Sequence, residues 1–319
     1  MDAQAFERQV APHRAALRGY CYRLLGALAD AEDAVQDTLV RAWKAIDSFE
    51  GRSSLKTWLF QIASRVCFDA LASRPRRALS LGEGTPFRPE DPITVDEQLQ
   101  HLEPAPDAWL EPDVGPEARI ERKQSIGLAF LVALQDLPAQ QRAVLVLREV
   151  LGLSAAEAAE VLDTTVAGVN SALQRARASL DEKPQALRVV TEGTEQELLS
   201  RYLRAWEASD VQQLVATLKD DVTLTMPPMA QWYRGARDVM RVLSQPFILA
   251  PKDDAARFKA LPTRAAGLPA AAVYRRAGPG QPYLPDSIHV LQVSGDRVGL
   301  VVAWLVPTLP ARFGLPAVL

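Results

Sequence analysis

From Leu28 to Ile46 the apolar residues Leu28, Ala31, Val35, Leu39, Ala42 and Ile46 recur every three or four positions. That spacing places them on one face of an α-helix, and a chain carrying such a stripe must bury it against another element. Asp33 and Asp37 then share a different, outward face. Asp30 is the expected N-cap, and the acids that follow it complement the positive end of the helix dipole. On charge pattern alone this is also how an ordinary solvated surface helix looks, so the meaning of the acidic face depends on its neighbourhood.

Downstream, Phe49-Glu-Gly51-Arg-Ser53-Ser-Leu-Lys-Thr57-Trp58-Leu59 leads into an amphipathic helix that ends in the basic cluster Arg74-Pro-Arg76-Arg77. The pairing of D-A-E-D-x-x-Q-D with F-x-G-x-S-x-x-x-T-W-L resembles region two of the bacterial sigma factors, specifically the small extracytoplasmic-function group, over about residues 6–77. The resemblance implies that Asp30, Asp33, Gln36 and Asp37 dock on the coiled-coil clamp of the largest polymerase subunit. It also implies that Arg52, Ser53, Lys56, Trp58, Arg65, Asp69, Arg74 and Arg76 bind and melt the downstream promoter element. One departure bears on base preference: Arg65 stands ahead of Asp69 on the basic helix, where the family usually has asparagine.

At 319 residues the chain can hold two or three domains, each with its own core. A net charge of −3 hides opposed local blocks. Between Arg52 and Arg77 six basic residues face the single acid Asp69, whereas Leu81 to Arg119 carries ten acids and two arginines, a local charge of −8. Such asymmetry suits polyanion binding at one end with an acidic tether beside it. Cys21 and Cys67 have no second thiol nearby in sequence and no histidine at ligand spacing, so they read as reduced packing residues, and neither a metal nor a cofactor is expected. The N-terminus has no basic start followed by an apolar run. The longest apolar runs, 126–134 and 298–306, are too short to span a bilayer. A cytoplasmic protein without membrane attachment, monomeric when free, is the expectation.

Within residues 81–118 the acidic stretch from Leu81 to Gly115 carries prolines at 86, 89, 92, 104, 106 and 112, which break helices and remove backbone donors. It reads as a linker, either an unstructured spacer or, through Trp109 and Leu110, a segment partly packed on something. The sigma resemblance would thread it through the polymerase towards the active-site cleft. After it, helices are expected over Glu117–Gln135 and from Leu137 to about Glu149. Ser154 and Glu157 have capping-box spacing and start another helix that ends near Leu162. Asp163-Thr164-Thr165 makes a turn into a last helix, whose residues Val166, Val169, Leu173, Ala176 and Leu180 are spaced for burial. Ala167, Asn170, Ser171, Gln174, Arg175 and Arg177 are left outside, with Thr165 closing the turn before them. A short helix, a tight turn and a second helix with a polar, basic face is the helix-turn-helix arrangement. The string L-P-x-x-x-R-x-V-x-x-L-R-E-x-x-G-L-S-x-x-E-x-A, then V-N-S-A-L-Q-R-A-R, resembles sigma region four. That implies binding of the upstream promoter element by Thr165, Ala167, Asn170, Ser171, Gln174, Arg175 and Arg177, and of the flap of the second-largest subunit. Asn170, Ser171, Gln174 and Arg175 would reach base edges or nearby phosphates, and Arg177 a phosphate. Asp163 replaces the usual turn glycine, which aspartate tolerates better than most residues. Gly168 inside the helix costs about 1 kcal/mol relative to alanine.

From Thr194 the character changes. Glu197–Ala208 and Val211–Leu218 read as short helices, followed by a strand at Val222–Met226, a helix ending at Leu243, and strands near Phe258–Leu261, Ala270–Arg276, Ser287–Val293 and Val298–Leu305. Helices first and then a curved antiparallel sheet make an α+β unit. With M-P-P-x-x-x-W-x-x-G after its first strand, residues 194–310 resemble the SnoaL-like or NTF2-like cone fold. Tyr202, Met226, Trp232, Tyr233 and Trp304 are the candidate lining of a small-molecule pocket there, although core packing explains them as well. The case for catalysis is thin, because His289 reads as a packed strand residue and the acids Asp220, Asp221, Asp253, Asp254 and Asp286 fall at element ends.

The expected architecture is therefore multi-domain: an all-α region two over 1–80, the linker over 81–118, an all-α region four over 119–183 and an α+β cone domain over 194–310. The implied function is that of a sigma factor carrying core RNA polymerase to double-stranded and then melted promoter DNA, without turnover of its own, and with the last domain as an intramolecular regulator. Two other readings are a one-component DNA-binding regulator that senses a ligand, and an isomerase or cyclase tethered to a DNA-binding module. Neither needs a polymerase-docking helix at Asp30–Trp43.

Overall fold

A computed structural model of the chain describes residues 2–51, 53–73, 77, 79, 85–95, 101–110, 127–181, 192–245 and 257–319. The chain divides into two units, Met1–Ala78 with Asp107–Gln185, and Leu79–Pro106 with Ala186–Leu319. The expected first and third domains thus belong to one helical unit. The expected linker is shared, with its first part in the second unit and its last part in the first.

In the helical unit, α1 (Ala3–Val10), α2 (Arg14–Leu25), α3 (Leu28–Ala45) and α4 (Leu55–Ala72) come first. The stripe Leu28, Ala31, Val35, Leu39, Ala42 and Ile46 is buried throughout. Asp30 is not the N-cap of α3. Gly26, at φ 76°, closes α2 by donating its N–H to the Tyr22 carbonyl at 2.7 Å, and Ala27 is extended, so α3 starts at Leu28. Asp30 sits in the first turn of α3 and holds Arg77 at 2.6 Å. Ser54 caps α4 by accepting the Thr57 N–H at 3.0 Å. Tyr20 and Ser64 share a hydrogen bond of 2.7 Å that ties α2 to α4 inside the core. Cys21 and Cys67, far apart in sequence, are both buried and free, and the hydrogen bond that the Cys67 thiol donates to Cys21, with burial, pushes its pKa well up.

The second half of this unit begins with the single turn α5 (Asp107–Leu110) and continues with α6 (Leu128–Asp136), α7 (Ala139–Leu145), a π-turn at Val146–Val150, α8 (Ala155–Val161) and α9 (Val166–Asp181). Two buried arginines fasten it to the first half. Arg23 donates to the Leu110 carbonyl at 2.8 Å, and burial lowers its pKa to about 10. Arg142 donates to the Leu24 carbonyl and, at 2.8 Å, to Gln135, whose own amide donates to the Arg23 carbonyl at 3.2 Å. Trp109 packs edge-on against Tyr22, with the Arg18 guanidinium 4.5 Å from its ring centroid. Gly19 makes this docking possible, since a Cβ there would lie 2.7 Å from the Trp109 carbonyl oxygen.

The second unit opens with α10 (Glu192–Glu207) and α11 (Val211–Ala216), followed by β1 (Leu218–Thr225), β2 (Trp232–Arg234), α12 (Ala236–Leu243), β3 (Phe258–Ala265), β4 (Leu268–Arg275), β5 (Leu284–Ser294), β6 (Arg297–Trp304) and the turn α13 (Leu309–Arg312). The strand order is β2-β1-β6-β5-β4-β3. The sheet is mixed and not purely antiparallel, because β1 lies parallel to β6 with Leu224 opposite Val301. The last strand of the antiparallel run returns beside the first strand of the unit, and that closure imposes the parallel pair. No described helix is long and apolar enough to cross a membrane.

Candidate functional site

On α3 the residues Asp33, Gln36 and Asp37 are exposed, while Asp30 is half-buried against Arg77. Beside Gln36 runs a groove of about 550 Å³ lined by Arg14, Arg18, Glu32, Val35, Leu39, Val40 and Trp43. Val40 and Trp43 are 45% and 38% exposed, large apolar side chains beside an acidic stripe. Val40, Trp43, Arg14 and Arg18 are not among the contact residues expected from the sequence. The signal available for the first two was apolar residues placed off the buried stripe.

The next group lies on and before α4. Lys56 is exposed, Ser53 and Trp58 are half-buried, and Trp58 stacks on Phe49 at 4.8 Å. Arg65 is exposed and reaches Asp163 at 3.6 Å, and Asp69 reaches Arg41 at 3.6 Å. Arg52, Arg74 and Arg76 lie outside the described residues.

The helix-turn-helix is built by α8 and α9. Ser154 and Glu157 form the expected capping box, and Asp163 takes a left-handed φ of 51° in the turn. Thr165 then caps α9 through its Oγ1, which accepts the Gly168 N–H at 3.0 Å. A Cβ at residue 168 would lie 2.9 Å from Thr164 Oγ1 and 3.3 Å from Thr165 Oγ1, so the glycine makes room for the cap. Val169, Ala172, Leu173 and Ala176 are buried, but Val166 is 45% exposed. As the first residue of the helix, Val166 precedes the turn that faces the core. Ala167, Asn170, Ser171, Gln174, Arg175 and Arg177 all face solvent. Arg175 donates to Ser171 at 2.6 Å, and Arg177 is paired with Glu149. The salt bridge of Arg65 to Asp163 therefore links α4 to the turn of the helix-turn-helix.

In the second unit a cavity of about 380 Å³ lies on the face of the sheet that carries α10, α11 and α12. Of the expected lining residues, Tyr202 and Met226 are there. Trp232, Tyr233 and Trp304 are buried but do not line it. Strand alternation explains the error on β6: Val301, Ala303 and the following Leu305 point into the cavity, so Val302 and Trp304 face the other side. There Trp304 donates its indole N–H to the Leu102 carbonyl at 2.8 Å. Tyr233 joins the core packing around the cavity, and the main chain of Trp232 is occupied by Phe87.

Trp206, Ser287, His289, Asp286 and Arg275, none of them expected as lining, complete the cavity wall. Arg275 Nε donates to Asp286 at 2.9 Å, Ser287 donates to Asp286 at 3.2 Å, and His289 lies 2.9 Å from both Ser287 Oγ and Tyr202 Oη. Because the Ser287 proton goes to Asp286, Ser287 accepts from His289 Nε2–H. Nδ1 is then the acceptor for the Tyr202 hydroxyl. Burial lowers the His289 pKa to about 3 and raises that of Tyr202, the nearby Trp206 indole N–H offsetting part of the latter shift. Both groups are neutral at physiological pH, and the relay ends in a closed ion pair.

The first part of the expected linker is stitched to this same unit. Phe87 donates its N–H to the Trp232 carbonyl at 3.0 Å, and Ala230 donates to the Thr94 carbonyl at 3.2 Å. Gln231 reaches the Pro92 carbonyl at 2.9 Å and Thr94 Oγ1 at 2.8 Å, His101 donates to the Pro228 carbonyl at 3.2 Å, and Ala266 donates to the Ala105 carbonyl at 3.0 Å. Arg241 pairs with Glu90, and Leu102 and Ala105 are buried.

The sequence models of sigma-70 region 2 and sigma-70 region 4 match residues 10–77 and 127–180. The ECF RNA polymerase sigma factor SigG of Mycobacterium tuberculosis is 42% identical over 316 residues, covering 98% of this chain and 84% of the relative. The ECF sigma factor SigJ of the same organism is 28% identical over 233 residues, 71% of this chain and 68% of the relative. The crystal structure of M. tuberculosis SigJ has the same fold, with a TM-score of 0.58 at 24% identity over 99% of this chain and 100% of that one. The chain thus belongs to the extracytoplasmic-function sigma factors, which bind core RNA polymerase and direct promoter recognition and transcription initiation.

Proposed function

We propose that the second unit regulates this sigma factor within the same chain by holding the segment that joins region two to region four. The observation that supports the reading is the set of hydrogen bonds by which residues 87–105 join the sheet unit. A linker held in this way is not free to thread into polymerase, and the connection at about residue 185 keeps the sheet unit at high effective concentration. The clasp formed by Arg23, Arg142 and the Arg65–Asp163 pair acts in the same direction, since it keeps the two DNA-reading surfaces together in the free chain.

In this reading Asp33, Gln36 and Asp37 meet the clamp of the largest polymerase subunit, with Val40 and Trp43 supplying the apolar contact beside them. Thr165, Ala167, Asn170, Ser171, Gln174, Arg175 and Arg177 read the upstream element, region four meets the flap of the second-largest subunit, and the α4 group with Arg52, Arg74 and Arg76 opens the downstream one. The protein acts in the cytoplasm as a monomer until it joins core enzyme, and it turns over no substrate.

The experiment is in vitro transcription with core polymerase, comparing the full-length chain with a chain truncated after about residue 185 and with the strap variant Gln231→Ala/Arg241→Ala. Both alterations are expected to raise promoter-dependent transcript yield several-fold. Equal yields from all three would remove the regulatory reading. The docking surface is tested separately by Asp33→Ala/Gln36→Ala, which should weaken core binding in a competition assay while leaving the thermal transition in place.

A further inference from the structure

The cavity of the second unit is within the size range of small-molecule sites, about 300–1,000 Å³. Most of its wall is apolar, including Leu214, Leu224, Val239, Phe258, Val301 and Ala303. Its polar end is the relay from Tyr202 through His289 and Ser287 to Asp286. The ionised groups there, Arg275 and Asp286, are 44% and 22% exposed and bound to each other at 2.9 Å, so the polar end is the wet end. A charged ligand would lose its hydration inside without gaining a free counter-charge, which is strongly unfavourable. A neutral ligand faces no such penalty, and the Tyr202 oxygen, with its hydroxyl proton engaged in the hydrogen bond to His289, keeps lone pairs that can accept one hydrogen bond.

The same wall touches the strap. Met226 and Met229 line the cavity. Met229 is bridged to Val95, and its neighbours Pro228, Ala230, Gln231 and Trp232 carry the hydrogen bonds to His101, Thr94, Pro92 and Phe87. One turn of seven residues, 226–232, therefore has the cavity on one side and the inter-region strap on the other. Packed groups transmit displacement across such a distance, and methionine adapts its shape to what it packs against.

We propose that this cavity binds an uncharged, mainly apolar small molecule with a single hydrogen-bonding head, and that its occupancy holds the strap on the second unit. The sign follows from linkage. A ligand that binds the cavity formed beside the docked strap stabilises the docked state and with it the closed form of the factor. The inference rests on the regulatory reading above for its consequence in transcription, but not for the binding itself.

The test uses the full-length chain and two probes of one skeleton, neutral N-phenylnaphthylamine and its sulfonated congener anilinonaphthalenesulfonate. Saturable one-site binding of the neutral probe, at least tenfold tighter than that of the sulfonate, is expected. It should be lost in Ala303→Phe and in Val301→Phe, two independent fillings of the cavity, each first checked for a wild-type circular-dichroism spectrum. At saturation the hydrogen exchange of the Phe87 and Ala230 amides should slow at least threefold. Absent binding, equal affinity for the sulfonate, binding retained in both filled variants, or unchanged exchange each overturns the proposal. The strap variant Gln231→Ala/Arg241→Ala separates the two ideas. If it alters transcription while the probe fails to bind, the ligand proposal falls and the regulatory reading stands. If the probe binds and slows exchange while the strap variant leaves transcription unchanged, the regulatory reading falls and the coupled cavity stands.

Discussion

Arg175 and Arg177 stand two residues apart on α9 and differ in what already holds them. Arg175 leans on the neutral Ser171 of its own helix, whereas Arg177 is paired with the carboxylate of Glu149. Replacing Arg175 with alanine should cost roughly 1–3 kcal/mol and change preference at one promoter position, and replacing Arg177 should weaken all sequences alike and lower the salt slope by about one unit. Glu149→Ala should do the reverse of the second change, because it frees a cation for phosphate. Promoter-library binding at two salt concentrations checks all three variants, and indistinguishable profiles would mean that the helix presents another face. His289 carries a second prediction at this scale. Its folded pKa, about 3, lies below the ordinary 6.5. The unfolded chain therefore binds a proton that the folded chain refuses, and stability falls as pH drops from about 6.5 towards 3. The slope is at most about 1.4 kcal/mol per pH unit for one group. Urea titrations between pH 7 and 4 should show His289→Gln losing less stability across that range than the parent chain. Equal losses would show that other groups set the acid sensitivity.

At the scale of elements, the strongest sequence signals were those whose partner lies within one turn. The buried stripe of α3, the Ser154–Glu157 box and the left-handed Asp163 depend on residues three or four apart, and all are present as read. What misled was context beyond a turn. Asp30 resembles a cap until Gly26 ends the previous helix two residues before the next one starts. Trp304 resembles a pocket residue until the phase of β6 is fixed by its neighbours Val301 and Ala303, and two buried faces give no polar alternation from which to read that phase. Gly168 resembled a helix weakness, whereas the Thr165 cap needs its space. Gly19 makes the opposite case testable. Alanine there would gain about 1 kcal/mol in helix propensity, yet its Cβ would meet the Trp109 carbonyl at 2.7 Å. Gly19→Ala should lower the melting temperature and expose Trp109, seen as a red shift of its fluorescence in a chain whose other tryptophans are replaced. A higher melting temperature would mean that α5 yields at no cost.

At the scale of the whole molecule, the family was legible because its motifs are contiguous, and the division into units was not. Prolines and acids between residues 81 and 118 speak against regular structure but say nothing about docking. The hydrogen bonds that tie Phe87, Pro92, Thr94, His101, Leu102 and Ala105 to the sheet unit go to partners more than a hundred positions away, among them Pro228, Gln231, Ala266 and Trp304. The corresponding prediction is one of protection. In the full-length chain, limited proteolysis should spare residues 85–95 and 101–106, and in the chain truncated after about residue 185 the same residues should be cut first. Identical cleavage patterns would mean that the strap is not held in solution.

That strap gives the protein an age. Residues 85–106 leave the ribosome roughly 200 residues before β6, the strand whose Trp304 will hold them. At about 5–20 residues per second the interval is roughly 10–40 s. For about the last 120 residues of it, after α9 has been made, both promoter-reading regions are complete while the sheet that would restrain their connection is still unmade. On the regulatory reading proposed above, a newly synthesised chain passes through an unrestrained youth before its sheet unit closes it, and polymerase met in that interval meets a different molecule from the finished one.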